Sequence, residues 1–119
     1  MKNDLISSLL DFMRREKIKM GMQKTSDSEF WFESPNGFIV VKFVVDKNTN
    51  EILYDVFSPK HDVHLKEETI RDVERLDFIA EEKGEWDYEK SIEDLWLILD
   101  SVKLWAKKNK FSIKEKHLI

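Results

Sequence analysis

Apolar residues recur first at helical spacing, at Leu5, Leu9, Phe12 and Met13, with Ile6 and Leu10 widening the stripe. Steps of three and four residues put them on one helix face, and Asn3 or Asp4 is placed to cap it. Arg14, Arg15 and Lys17 suit the negative pole at the helix C-terminus, and Gly21 discourages continuation. Ile18, Met20 and Met22 then alternate with Lys19, Gly21 and Gln23, the pattern of a short strand, and Thr25 to Ser28 reads as a turn.

The pattern next becomes that of a β-meander. Aromatic Glu29 to Glu33 and apolar Phe38 to Val45 are separated by Ser34-Pro35-Asn36-Gly37, where proline presets the turn and glycine accepts a left-handed conformation. Ile39, Val41, Phe43 and Val45 point one way, and Phe38, Val40, Lys42 and Val44 the other, so both faces are largely apolar and this strand is expected at the centre of the sheet, covered on both sides. Asp46 to Asn50 forms a second polar turn, after which Ile52, Tyr54 and Val56 oppose Leu53, Asp55 and Phe57. Pro59 ends the strand, since proline cannot donate to a ladder.

Helical spacing returns over 66–83, with Ile70, Val73, Leu76 and Ala80 on one face and Phe78 and Ile79 extending it, up to Gly84. Gly84 to Lys90 reads as an exposed connector, and Ser91 with Asp94 resembles a capping box that opens a last helix. There Ile92, Leu95, Trp96, Leu99, Val102 and Ala106 form a stripe, while Leu97, Ile98, Leu104 and Trp105 lie on the remaining circumference. A helix this apolar needs cover on more than one side, from the sheet, a partner or a second copy in a homodimer. Phe111 and Ile113 could pair as a short strand in a basic tail at about 110–119. The sum is an α+β fold: an N-terminal helix, a three- or four-stranded antiparallel β-meander, then two C-terminal helices, expected as a single domain over 1–119.

Composition supports a folded chain. Its 119 residues are 41% hydrophobic, enough to bury a core despite 37% charged residues. No cysteine is present, which excludes disulfides, thiolate metal sites and cysteine nucleophiles. The first ten residues lack the pattern of a signal peptide, and no apolar run approaches the roughly 20 residues that cross a bilayer, so no membrane role and a cytoplasmic location are expected.

Candidate chemistry is sparse. His61-Asp62-Val63-His64 is the one place with two close histidines, and with His117 alone in the tail the ligand count falls short of a zinc site. A small metal-dependent hydrolase centred on this loop is therefore only an alternative reading, beside a homo-oligomeric structural subunit; neither a metal nor another cofactor is expected. Gly21, Gly37 and Gly84 stand too far apart for a phosphate-cradling loop. Asp46 and Asp55 lack the Glu-x-Lys triplet on a neighbouring strand that a nuclease of that type requires. Lys66-Glu67-Glu68 would repel phosphate where a double-stranded RNA-binding domain places lysines, so nucleic acid is not an expected partner.

Charge is the feature left over. The net value of -4 hides a middle, 66–94, with twelve acids against five bases, and a stretch, 103–116, with six lysines against one glutamate. Trp86 and Tyr88 lie among Glu81, Glu82, Glu85, Asp87 and Glu89, and aromatics ringed by acids suit a basic protein partner. The preferred expectation is a non-catalytic protein-binding module engaging a basic partner through this acidic helix and connector. Inhibitors, immunity proteins and secretion chaperones offer the analogy in size and acidity.

Overall fold

A computed structural model describes residues 5–35, 37, 39–59, 62–66 and 85–119, and the backbone alone at 85–89. The first helix, α1, runs Leu5–Glu16 and buries Leu5, Ile6, Leu9 and Met13. Leu10 leaves the expected stripe and is 40% exposed, because the buried face is only one residue wide at that turn. The helix stops by a backbone device rather than at Gly21. Lys17 takes a positive φ of 55°, and the Ile18 N–H donates back to the Met13 carbonyl at 3.0 Å, which satisfies an end carbonyl in the Schellman pattern.

Four antiparallel strands follow as a meander: β1 (Gly21–Ser26), β2 (Glu29–Glu33), β3 (Val40–Asp46) and β4 (Glu51–Ser58). β1 begins later than the Ile18–Met22 alternation suggests and absorbs part of the expected turn, because residues 17 and 18 are spent on ending α1. Its register with β2 slips between Lys24 and Ser26. The β2–β3 hairpin stands where the Ser34–Gly37 signal puts it, with Gly37 at φ 65° and its N–H donating to the Ser34 carbonyl at 2.9 Å. The Ser34 hydroxyl accepts from the Ile39 N–H at 3.1 Å, closing the turn internally. At the β3–β4 turn, the Asp46 carboxylate accepts from the Asn48 and Thr49 N–H groups, and Asn50 supplies the left-handed residue at φ 54°.

β3 lies between β2 and β4, and its side chains alternate between fully buried Val41, Phe43 and Val45 and half-buried Val40, Lys42 and Val44. One sheet face therefore carries the core. Phe30 stacks on Phe43 at 5.4 Å and meets Phe32 edge-on at 6.0 Å. Against this face pack α1 and a long helix, α2 (Glu85–Asn109), whose buried side is Ile92, Leu95, Ile98, Leu99, Val102 and Ala106.

α2 corrects the expected start of the last helix. Helical backbone begins at Glu85, so Ser91 is a buried interior residue and not a cap. The expected helix over 66–83 lies outside the described residues apart from Lys66. Among the described residues the fold is α+β, with two helices and no helix long and apolar enough to cross a membrane.

The remaining strands complete one edge. The short β5 (Val63–His64) pairs antiparallel with the end of β4, and β6 (Ser112–Glu115) pairs parallel with its beginning. The parallel pairing departs from an all-antiparallel meander. It follows from geometry: β6 leaves α2 directly, at Lys110, and reaches the edge strand already running in the direction of β4.

Candidate functional site

β5 and β6 share one edge of β4 end to end, and the place where they meet gathers polar groups from three distant parts of the chain. Asp55 stands on β4 with its side chain 4% exposed. A carboxylate in that position requires donors, since burial without them costs several kcal/mol. It receives three: His64 Nδ1 lies 3.0 Å from Oδ1, and the Leu118 and Ile119 N–H groups reach Oδ2 at 2.7 and 3.1 Å.

The tail arrives there by extending the β6 ladder. The Lys116 N–H donates to the Tyr54 carbonyl at 2.9 Å, one residue short of Asp55. The next side chain, His117, lays its ring on that of His64, with centroids 3.8 Å apart and planes 8° from parallel. Phe57, paired with His64 across the ladder, has its ring centroid 5.0 Å from the His64 ring. A recess of about 210 Å³ opens alongside, lined by Leu65, Lys66, Glu115 and Lys116 together with the two imidazoles and Asp55.

A carboxylate on Nδ1 fixes the orientation of an imidazole and leaves Nε2 for other contacts. Asp55, however, is engaged by backbone as well as by His64, so its first effect is to pin the tail to the sheet. The two stacked rings hold their nitrogen lone pairs in parallel planes, which do not converge on a single ion. Among the described residues no group of three or more His, Asp or Glu side chains is arranged to hold a metal.

The sequence-derived candidates fall differently. His61 lies outside the described residues, Asp62 is exposed in a turn at φ 54°, and His64 turns inward to Asp55. Glu81 and Glu82 also lie outside them; Glu85, Trp86, Asp87, Tyr88 and Glu89 have helical backbone in place of the expected connector. Leu97, Leu104 and Trp105 are brought together. They line one groove of about 710 Å³ between α1 and α2, with Phe12 from α1 opposite them. Asp94, expected beside Ser91 in a capping box, is instead 1% exposed inside the helix, accepting the Lys19 N–H at 2.9 Å and pairing with the Lys90 ammonium at 2.9 Å.

The meeting of Asp55 with Leu118 and Ile119 has little signature in the sequence. The one local sign is an acid on a strand where Leu53 and Phe57 are its same-face neighbours. No protein-family model, no curated protein and no solved structure matches this chain.

Proposed function

We propose that this chain is a non-catalytic protein-binding module whose acidic segment, 66–90, takes a basic protein partner, in the manner of an inhibitor or a chaperone. The observation that carries the reading is a separation of charge along α2. The helix has 25 residues, which at about 1.5 Å each is roughly 37 Å, against a longest molecular dimension of 43 Å. Glu85, Asp87 and Glu89 occupy its first turns and Lys107 and Lys108 its last, so opposite charges stand at opposite ends of the fold. Such a field orients a basic protein before contact and speeds association. Trp86 and Tyr88 supply the aromatic anchors that charge alone lacks.

The test is capture of the partner from the native host with wild type and with a variant carrying Glu81, Glu82, Glu85 and Asp87 changed to Lys. Capture is expected to be lost in the variant and to weaken with salt in wild type. Changing Lys103, Lys107 and Lys108 to Glu is expected to leave it intact. Undiminished capture by the acid-to-lysine variant sinks the reading.

A further inference from the structure

The groove between α1 and α2 is a second candidate surface, independent of the acidic segment. Its floor is apolar: Phe12 from α1, and Leu97, Leu104 and Trp105 from α2. Leu104 is 54% exposed, the largest exposure of any apolar side chain on the groove, so this surface is open to solvent. Water against such a floor is displaced favourably by any apolar surface that fits it.

The charges around the floor narrow the choice of occupant. α1 runs counter to α2, since Lys19, just past the end of α1, bonds to Asp94 in the first half of α2. Arg15 therefore lies toward the Asp100 end of the groove, and Asp11, one turn earlier, toward the Lys108 end. Among the residues lining the groove, each end thus carries one acid and one base, on opposite walls, with Asp11 also paired to Arg14 of its own helix at 3.1 Å. On α1 the base is at the first end and the acid at the second; on α2 the order is reversed.

We infer that the α1/α2 groove is a self-association surface, occupied by the same groove of a second copy of this chain. A two-fold axis lying in the surface can run along the groove or across it. In the first case Arg15 meets the second copy's Asp100 and Lys108 its Asp11; in the second, Arg15 meets Asp11 and Lys108 meets Asp100. Bases meet acids either way, with the apolar floors facing each other. A surface of this kind is self-complementary, as a closed dimer requires. A strongly basic or acidic partner would leave two of the four charges against like charge.

Sedimentation equilibrium of the full chain over a wide concentration range tests this. Wild type is expected to populate a dimer, and a monomer at every concentration overturns the inference. Leu104→Glu is expected to raise the dimer dissociation constant by at least about tenfold, roughly 1.4 kcal/mol. Dimerisation unchanged by Leu104→Glu also overturns it. Asp100→Lys, at an exposed position, supplies a second probe that leaves the core alone and is expected to weaken the dimer. Reversing all four charges together, with Asp11→Lys, Arg15→Glu, Asp100→Lys and Lys108→Glu, restores complementarity along either axis. Recovery of the dimer is expected; a four-fold variant as weak as Asp100→Lys alone overturns the charge pairing. Circular dichroism of each variant separates lost association from lost fold.

Discussion

Two buried carboxylates hold this molecule together at points where chain segments far apart in sequence meet. Asp55 accepts from His64 and from two tail N–H groups, and hydrogen bonds to a charged acceptor contribute about 1.5–3 kcal/mol each when one partner is removed. Asp55→Ala is therefore expected to lower unfolding stability by at least about 2 kcal/mol in urea titration and to release the Leu118 and Ile119 amides to rapid hydrogen exchange. Retained protection of those two amides would show that Asp55 does not hold the tail. Asp94 behaves differently because its cation titrates. Its hydrogen bond to Lys90 raises the lysine pKa from the ordinary 10.5, with burial opposing and the charges of Asp94 and Glu93 adding to the rise. A pKa raised by folding means stability that is whole below the unfolded value and lost as pH climbs through the folded one. The wild-type melting temperature should fall more steeply above the ordinary lysine range than that of Lys90→Gln; parallel curves for the two proteins count against the pairing.

At the scale of elements, both helices end in the same way. Lys17 and Lys110 sit at φ 55° and 61°, and the residues after them, Ile18 and Phe111, donate back to Met13 and Ala106. A side chain in the left-handed region costs about 1 kcal/mol that glycine avoids. Lys110→Gly is thus expected to stabilise the fold by a few tenths to about 1 kcal/mol, less the entropy glycine adds to the unfolded chain. A loss of stability in that variant would mean that the Lys110 side chain makes a contact worth more than the strain. This device also explains what the sequence conceals. The β2–β3 turn is legible because Pro35 and Gly37 carry its chemistry locally, whereas a lysine at a helix end looks like any surface charge. Likewise Glu85 to Glu89 resembles a solvated connector, since the acids that favour the first turns of a helix are those that populate loops. The meeting of Asp55 with the tail is hidden for a different reason: the contact spans 63 residues at Leu118, and no local pattern records it.

For the molecule as a whole, one core joins both helices to one face of the sheet, while charge is distributed along α2 and the α1/α2 groove stays open. The two proposed surfaces use different parts of the fold. A basic partner at the N-terminal end of α2 leaves the groove's four charges in balance, and a dimer through the groove leaves the acidic turns free. The edge of β4 is closed in a way that bears on the order of assembly. β1 to β4 pair between neighbours in sequence, so their loops close at little entropic cost, but β6 must return across about 60 residues to reach Glu51. The meander can condense first, and until the tail arrives β4 presents unpaired backbone to any passing strand. Asp55, with its grip on the Leu118 and Ile119 amides, turns the segment after α2 into a shield against that encounter.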